Sequence, residues 1–390
     1  MKWVKLGEIA EISSGGTPRR SNNSYWKDGN IPWIKISDLK SKYVSSSEEF
    51  ITESGLNNSS AKLFNEGTIL YTIFATIGEV SILKISATSN QAIAGINVLN
   101  DSFNVDYVYY YLLSIKDKMK KKSRGVAQNN INLTILKKLE VPFIKIEKQN
   151  KIVNLLKETE NLINIRKEQI QAYDDFIESL FYEMFGDPNG KSNGFKLKKL
   201  GELGRWNSGG TPKRSNKNYF TGDIPWVTSG ELNDIFIHDS FEHINEEAIE
   251  NSSAKLVPIG SLLLGMYDSA GLKSSISSKV LTTNQAIAFS KLDDDICNTI
   301  FVYFCIQLMR DKLLKKQRGV RQKNFNLSMI KEISIPIPPI ELQNKFADYV
   351  IKIEGEKKKS RESLDELEIL FEALMQDAFS GNLLKEWEGR

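Results

Sequence analysis

The sequence predicts an α+β (α/β) fold present in duplicate, with two globular domains joined by two long antiparallel coiled-coil helices in pseudo-twofold symmetry. Three observations predict it. The two halves of the chain repeat one another, each half mixes short strands with a helix, and each half ends in a long heptad-patterned segment. At 390 residues the chain is also longer than one ordinary hydrophobic core.

The repeat is found by shifting the sequence by 193 to 194 residues against itself. SSGGTPRRSNNSYWKDGNIPW at 13–33 matches NSGGTPKRSNKNYFTGDIPW at 207–226. Further matches follow in the same order: NNSSAKLF at 57–64 with ENSSAKLV at 250–257, TSNQAIA at 88–94 with TTNQAIA at 282–288, and SRGVAQNNINL at 123–133 with QRGVRQKNFNL at 317–327. Ordered matches at one offset indicate a tandem duplication, and so long a period predicts two domains rather than a solenoid.

Within each repeat, short runs such as GTILYTIF and GSLLLGMY lie between Gly, Asn and Ser clusters and predict strands and turns. A helix is predicted over 105–122, with its counterpart over 299–316. From 147 to 185 apolar residues recur at steps of three and four, and the same register recurs 194 residues later. These segments predict helices of about 39 residues and about 58 Å, and Lys357 and Ser360 predict a looser middle in the second.

These patterns predict the domain organisation. We expect a first globular domain at 1–146, a first long helix at 147–185, a turn-rich linker at 186–194, a second globular domain at 195–340, a second long helix at 341–380 and a C-terminal tail at 381–390. The linker spans at most about 30 Å. The second domain is therefore expected to begin near the far end of the first long helix, and the second helix to return antiparallel.

Charge is unevenly distributed along the chain. Residues 1–146 and 186–340 carry formal net charges of +6 and +4, whereas 147–185 and 341–390 carry −3 and −4. This predicts globular domains that meet a polyanion and helices that meet protein. No apolar run approaches the roughly 18 residues of a membrane span, and the N-terminal residues lack the signal-peptide pattern, so we expect a cytoplasmic protein.

Sequence motifs of catalysis are missing. There is no G-x-G-x-x-G, no G-x-x-x-x-G-K-[ST], no G-x-S-x-G and no amino-methyltransferase signature. His238 and His243 have no counterpart in the first repeat, so we expect no metal site, and Cys297 and Cys305 are expected in the core. The sequence therefore predicts a binding protein rather than an enzyme.

Polar residues around the repeated loops suit nucleic-acid contact. Each Gly-Gly-Thr-Pro turn is followed by cations and hydroxyls that suit phosphates, namely Arg19, Arg20 and Ser21, and Lys213, Arg214 and Ser215. A solvated loop with ordinary charges is the alternative. Asn90-Gln91 and Asn284-Gln285 carry amides that suit adenine edges, although a buried amide network is equally consistent. Trp33 and Trp226 are predicted to anchor the core.

Taken together, these motifs resemble the specificity subunits of type I restriction-modification systems. The resemblance rests on SGGTP…YW…IPW and its echo, the NQAIA and RGVxQxN segments, the apolar-Pro stretch before each long helix, and the endings LFYEMFGD and LMQDAFSGNL; it covers essentially the whole chain. It implies a non-catalytic chain with two target recognition domains, each reading half of a bipartite site in double-stranded DNA. The helices would set the gap between half-sites and dock two methyltransferase subunits.

The resemblance also implies that this chain binds no cofactor of its own. S-adenosylmethionine would be used by the modification subunits, and ATP and Mg by the restriction subunits of the full complex. The missing catalytic motifs agree with that implication.

The two repeats differ within a common frame, and where they differ we expect base-reading residues and an asymmetric site. These candidates are Lys35, Ser37, Asp38, Thr72 and Thr76, and in the second repeat Thr228, Ser229, Tyr267, Asp268 and Ser269. The RGVxQxN segments add the DNA-binding candidates Arg124, Gln128, Arg318, Arg321, Gln322 and Lys323. Drift at surface loops is the alternative explanation of the differences.

Two rival functions stay open on the sequence alone. A coiled-coil scaffold that docks proteins without DNA explains the helices but not the paired basic loops. An enzyme with an unrecognised motif is disfavoured by the missing nucleotide-binding loops.

Overall fold

The computed structural model describes residues 2–124, 130–190, 194–267, 271–318 and 324–388. The chain forms two compact units, the first comprising Met1–Lys167 and Glu362–Arg390 and the second Glu168–Arg361. Each unit therefore contains one globular domain, the first half of one long helix and the second half of the other.

The first repeat contains a succession of short elements and then a long helix. They are β1 (Lys2–Lys5), α1 (Leu6–Ile9), β2 (Ala10–Ser14), β3 (Ile31–Ile34), β4 (Tyr43–Val44), β5 (Glu49–Ile51), α2 (Glu53–Asn57), β6 (Ile69–Thr72), β7 (Val80–Leu83), β8 (Thr88–Ser89), β9 (Ile93–Val98), α3 (Val105–Ser114), α4 (Lys116–Arg124), α5 (Leu133–Lys137), β10 (Glu140–Phe143) and α6 (Ile146–Phe185). Single 3-10 turns lie at Asn23–Tyr25 and Ile36–Asp38.

The second repeat follows the same plan. Its elements are β11 (Lys196–Lys199), β12 (Asn207–Ser208), β13 (Ile224–Val227), β14 (Phe236–Ile237), β15 (His243–Ile244), α7 (Glu246–Glu250), β16 (Leu256–Val257), β17 (Leu262–Gly265), β18 (Ser274–Ser277), β19 (Leu281–Thr283), β20 (Ile287–Ser290), α8 (Thr299–Arg318), α9 (Leu327–Glu332), β21 (Ser334–Ile337), α10 (Ile340–Ser380) and α11 (Asn382–Glu388). Its 3-10 turns lie at Leu200–Glu202, Lys217–Phe220 and Ser229–Glu231.

Strand order shows that the repeats share one topology. A five-stranded sheet has the order β2-β9-β6-β7-β4 in the first repeat and β12-β20-β17-β18-β14 in the second. A smaller sheet is β5-β3-β8 or β15-β13-β19-β16, and β1 pairs with β10 as β11 pairs with β21. In the large sheet the last strand is parallel to its neighbour in both repeats, as the pairs β4–β7 and β14–β18 show. In the smaller sheet the pairs β3–β8 and β13–β19 are also parallel. The predicted duplicated α+β fold is confirmed.

One large apolar cluster in each unit joins the five-stranded sheet to the long helices. In the first unit the ring of Tyr107, from α3, packs 5.2 Å from that of Phe379 on α10. In the second, Phe181 of α6 stacks on Phe301 at 5.6 Å and meets Phe346 of α10 at 5.5 Å. The apolar residues of the heptads therefore serve two purposes. They complete the cores of the globular domains, and they pair α6 with α10.

The long helices run antiparallel within each unit. In the first, Lys167 pairs with Glu368 at 2.7 Å, while Leu156 shares a cluster with Ala378. In the second, Lys357 Nζ donates to Asp174, so partner numbers fall as residue numbers rise. Although Lys357 and Ser360 interrupt the apolar seam, both are buried, so the looser middle expected from the sequence is not seen at these two residues.

A fully buried glutamine fastens each globular domain to its long helix. Gln149 Oε1 accepts the Asn104 N–H at 2.9 Å, and its Nε2 donates to the Ile144 carbonyl at 2.8 Å. Gln343 accepts the Asn298 N–H at 2.9 Å and donates to two backbone carbonyls. These bonds join the start of α3 to α6 in the first unit and the start of α8 to α10 in the second.

The predicted helix over 105–122 is broken in the structure. α3 ends at Ser114 and α4 begins at Lys116, and the Ser114 hydroxyl donates to the Tyr111 carbonyl at 2.7 Å. Such a bond competes with the helical ladder. The second repeat has Leu308 at this position and its helix is continuous.

Two smaller observations complete the fold. Cys297 and Cys305 are buried free thiols, as predicted. In the part of the chain that the structure describes, none of the helices combines the length and hydropathy that a membrane span needs.

Candidate nucleic-acid interface

Motifs that are far apart in the sequence meet around the Gly-Gly-Thr-Pro loop. The Gly15 N–H donates to the Ile93 carbonyl at 2.9 Å and the Gly16 N–H to the Ser89 carbonyl at 2.8 Å. The Trp33 indole Nε1 donates to the Gly16 carbonyl at 2.9 Å. The SGGTP, IPW and NQAIA motifs of the first repeat therefore form one loop assembly.

The second repeat builds the same assembly with the same bonds. Gly209 and Gly210 donate to the carbonyls of Ile287 and Thr283 at 3.1 and 2.9 Å. The Trp226 indole donates to the Gly210 carbonyl at 2.9 Å. Both tryptophans are buried, as predicted.

Close backbone approach explains the paired glycines. A Cβ atom on Gly15 would lie 2.3 Å from the Ser89 carbonyl oxygen, and one on Gly16 would lie 2.3 Å from the Ser60 carbonyl carbon. Ser60 belongs to the repeated NSSAK motif, which thereby joins the assembly. Glycine is used here because the loop packs directly against neighbouring backbone.

Arg20 is exposed, but its guanidinium is paired within its own domain. Its guanidinium carbon lies 3.8 Å from the Trp26 ring centroid and 4.5 Å from that of Trp33, and its Nη1 donates to Glu49. This hydrogen bond holds the pKa of the Glu49 carboxyl below its ordinary value. The cluster ties the loop to β5.

Arg214 has the equivalent environment. It lies 4.7 and 4.6 Å from the ring centroids of Phe220 and Trp226, and it donates to both oxygens of Glu242 at 2.6 and 2.8 Å. The pKa of Arg214 is raised and that of Glu242 lowered by this bond. The sequence prediction missed both glutamates, although each lies at the repeat offset from the other.

The neighbouring cations face solvent. Arg19 is exposed and its Nε donates to the Ser21 hydroxyl at 3.1 Å. Lys213 and Ser215 are exposed in the second repeat, and the Lys213 ammonium has no hydrogen bond or ion pair within the described residues. The sequence analysis treated each adjacent pair of cations as equivalent. In the structure all four are exposed, but Arg20 and Arg214 are paired with glutamates, whereas Arg19 and Lys213 have no such pair in the part of the chain that the structure describes.

The turn after Trp33 is closed by internal bonds. The Lys35 N–H donates to Asp38 Oδ2 at 2.8 Å, so Asp38 caps the 3-10 turn. Lys35 Nζ lies 3.2 Å from Glu48 and 3.0 Å from Glu49, and the hydrogen bond to Glu49 is the main reason that its pKa is raised. Ser37 is exposed on the same turn.

The turn after Trp226 uses a glutamate as its cap. Both the N–H and the hydroxyl of Thr228 donate to Glu231 Oε2 at 2.7 Å. Ser229 is half-buried between them. A carboxylate therefore caps both turns, and the difference between repeats lies in the other side chains.

The loop after β6 corrects one predicted contact. Thr72 is fully buried; its hydroxyl donates to the Thr76 carbonyl and accepts the Glu79 N–H at 2.9 Å. It fixes the turn and presents nothing to a base, so its assignment as a base-reading residue was wrong. Thr76 is exposed, and Tyr267 in the matching loop is 38% exposed.

The repeated amides divide their roles. Asn90 Oδ1 accepts the Ala92 N–H at 3.0 Å and holds the turn, whereas Gln91 is exposed and accepts the Thr17 hydroxyl. The same bonds occur at Asn284, Gln285 and Thr211. Of the two, the glutamine is the one that can reach a ligand.

Several predicted residues lie outside this assembly or outside the described residues. Arg124 and Arg318 are the last residues of α4 and α8. The described residues do not include Gln128, Asp268, Ser269, Arg321, Gln322 and Lys323.

Comparison with known protein families places both repeats in one class. A family model described as the type I restriction modification DNA specificity domain matches residues 1–172 and again 192–368. The MjaIX type I restriction enzyme specificity subunit of Methanocaldococcus jannaschii is 26% identical over 368 residues, which cover 89% of this chain and 85% of that one. The EcoR124I/EcoR124II specificity subunit of Escherichia coli is 28% identical over 196 residues, covering 46% and 48% of the two chains.

Solved structures share the fold. The type I restriction-modification S subunit from M. genitalium matches with a TM-score of 0.59 at 14% identity, over 97% of this chain and 96% of that one. A chain from a structure of type I R-M complex assembly and conformational transition matches with a TM-score of 0.61 at 16% identity, over 97% of both chains.

Proposed function

Because the chain belongs to the family of type I restriction-modification DNA specificity subunits, whose members are non-catalytic, we propose that its two repeats read the two halves of a bipartite, asymmetric DNA site. The observation that carries this proposal is one loop assembly built twice with different outward side chains. Identical bonds hold the Gly-Gly-Thr-Pro loops, while Lys35 and Ser37 are replaced by Thr228 and Gly230 at the turn that follows.

Within this proposal, Arg19 and Lys213 contact phosphates. Both are exposed at the end of the glycine loop, where a cation reaches the DNA backbone without base preference. Arg20 and Arg214 are already paired with glutamates and stacked on aromatic rings. Their part is to shape the loop that presents Arg19 or Lys213.

Base reading is assigned to polar side chains of the assembly that are exposed or, at Ser229, half-buried. Ser37, Thr76 and Gln91 serve the first half-site, and Ser229, Tyr267 and Gln285 the second. Lys35 and Thr228 are occupied by carboxylates, so they act mainly by setting the turn. The differing residues at matched positions support an asymmetric site.

The long helices are proposed to dock two methyltransferase subunits, and restriction subunits join the full complex. Exposed apolar side chains outside the buried seam support a protein contact, and each unit contributes its own set. These residues are Leu162, Ile165, Ile369 and Leu370 in the first unit, and Phe176, Tyr182, Tyr349 and Ile351 in the second. S-adenosylmethionine, ATP and Mg would be used by those partners, and we expect the assembly to act in the cytoplasm.

Sequencing of methylated adenines in a host that carries this chain with its methyltransferase subunits tests the proposal. We expect one two-part motif with unlike halves. A perfect palindrome would contradict the asymmetry, and failure of the assembled complex to select any DNA sequence would contradict the function.

Salt titration of DNA binding tests the division between the cations. Arg19→Ala and Lys213→Ala should weaken binding to all DNA and each lower the salt slope by about one. Arg20→Ala and Arg214→Ala should leave the slope near that of the parent chain but reduce thermal stability. Lys345→Ala, which removes an exposed charge from α10, is the control, and equal slopes for both arginines of the first loop would refute the assignment.

A further inference from the structure

Phe241 is exposed to solvent near the Gly-Gly-Thr-Pro loop of the second repeat. Its side chain is 92% exposed, and among the described residues the next most exposed large apolar side chain, Ile369, is 69% exposed. Its ring belongs to none of the apolar clusters of the described residues. A large ring in water offers apolar area to a ligand and nothing to the fold.

The backbone that carries this ring is fixed on both sides. The Phe241 N–H donates to Glu231 Oε1 at 2.9 Å, and the other oxygen of Glu231 caps the turn at Thr228. The next residue, Glu242, is paired with Arg214 through two bonds. The ring is therefore presented at a defined position between the turn after Trp226 and the arginine of the glycine loop.

The first repeat has a different residue at this position. Glu48 is the counterpart of Phe241, and its carboxylate lies 3.2 Å from Lys35 Nζ and 4.0 Å from Lys40 Nζ. An acidic, ion-paired side chain repels phosphates and makes no apolar contact. At this matched position the second repeat presents an apolar ring and the first presents a carboxylate.

We infer that Phe241 is a specificity residue of the second half-site, packing its ring against DNA bases. This inference rests on the proposed function. Phosphates and sugars in water offer little to an aromatic ring, whereas the thymine methyl group and the faces of an opened base step are apolar. The inference adds a base contact that has no equivalent in the first half-site.

The experiment uses the complex with its methyltransferase subunits and duplex DNA that carries the methylated motif. Phe241→Ala should weaken binding to this DNA by about tenfold to hundredfold, with the salt slope and binding to unrelated DNA unchanged. Phe241→Ala should also discriminate less between bases, and only in the second half-site. Phe241→Leu should retain part of the affinity, and Glu48→Ala is the matched control in the first repeat.

DNA with uracil in place of thymine in the second half-site identifies the apolar target. If the parent complex binds the uracil DNA more weakly than the thymine DNA and Phe241→Ala binds both equally, the ring contacts a thymine methyl group. If the parent complex binds both DNAs with equal affinity, the ring inserts at a base step. Because the residue is exposed, thermal unfolding of Phe241→Ala should match the parent chain.

Unchanged affinity and motif in Phe241→Ala would overturn the inference while leaving the two-part motif intact. Loss of methyltransferase assembly with unchanged DNA preference would also overturn it, since the ring would then serve a protein contact. Absence of any two-part motif for the parent complex is a failure of the proposed function, and it is distinguishable from both results.

Discussion

The two units place a buried lysine beside equivalent glutamates, but they take that lysine from different parts of the fold. In the first unit Lys42, from the globular domain, lies 3.7 Å from Glu160 of α6. In the second, Lys357 of α10 lies 3.6 Å from Glu354 of the same helix and bonds to Asp174 of α6. The first lysine joins a domain to a helix, and the second joins helix to helix.

Lys42 is the centre of a chain of polar bonds. Its Nζ lies 2.9 Å from Asp106 and donates to the Tyr110 hydroxyl at 2.8 Å, and Tyr110 in turn donates to Glu160 at 2.8 Å. Burial lowers the pKa of Lys42 although the carboxylates oppose that shift. The first domain is thus oriented on its helix by directional bonds.

The second unit has apolar residues at the matching positions. Ile235, Ile300 and Phe304 replace Lys42, Asp106 and Tyr110. Conversely, the seam position of Lys357 is occupied by Ile163 in the first unit. The duplication has kept the glutamate and moved its cation, so that directional bonding orients the domain in one unit and the helix pair in the other.

The largest effect is expected for Lys42→Ile. This change removes the cation from Asp106, Glu160 and the Tyr110 hydroxyl, and breaking a buried ion pair from one side costs about 3 kcal/mol. Urea unfolding measures the loss of stability, and hydrogen exchange of the β6 and β7 amides should place it in the first unit. The triple change Lys42→Ile, Asp106→Ile and Tyr110→Phe copies the residues of the second unit and should recover part of the lost stability.

Lys357→Ile is the matched control for that comparison. It gives the second unit the residue of the first. Asp174, whose side chain is 45% exposed, can be solvated when its partner is lost, but Glu354, whose side chain is 18% exposed, also loses its cation. We expect a loss of stability of about 1 to 2 kcal/mol, smaller than that of Lys42→Ile, because only one of the two carboxylates left behind is shielded from solvent and the seam gains apolar contact. Equal losses of unfolding free energy for Lys42→Ile and Lys357→Ile would show that the two lysines stabilise their units equally.

The buried glutamines should behave alike, because their bonds are the same in both units. Gln149→Leu and Gln343→Leu each leave a backbone N–H and carbonyls unpaired, which costs about 2 kcal/mol. Urea unfolding of the two variants should give losses that agree within about 1 kcal/mol. A clear difference would mean that the units are fastened to their helices differently.

The fold could be predicted because its signals are periodic. The offset between repeats and the heptads of α6 and α10 are carried by many residues, so single exceptions such as Lys357 did not hide them. The break after Ser114 could not be predicted, since it coincides with one local hydroxyl bond that no periodic pattern marks.

The parts of the loop assembly were predicted, but its internal pairing was not. The glycine loops and tryptophans were found because they occur twice, whereas Lys42 occurs once and resembles any surface lysine in the sequence. Glu49 and Glu242 were missed because their arginine partners lie 29 and 28 residues away. Thr72 was misassigned because all four residues of β6 are buried, so no polar alternation marked which side chains face solvent.

The smallest expected effect concerns acid stability at the arginine-glutamate pairs. The pKa of Glu49 is lowered by Arg20, and that of Glu242 by Arg214, so each pair stabilises the folded chain above the ordinary carboxyl pKa of about 4.3. That contribution is lost as the pH falls through the lowered folded value. Between about pH 5 and 3, Glu49→Gln and Glu242→Gln should lose less stability than the parent chain, by about 1 kcal/mol or less.

Glu49 should show the larger difference of the two. It is shared by Arg20 and Lys35, and its side chain is 28% exposed, whereas Glu242 has one cation and is 42% exposed. Solvent therefore screens the second pair more strongly. Urea unfolding of both variants across this pH range measures the two differences in stability. A larger difference for Glu242→Gln would show that the two bonds from Arg214 to Glu242 matter more than the second cation and the lower exposure of Glu49.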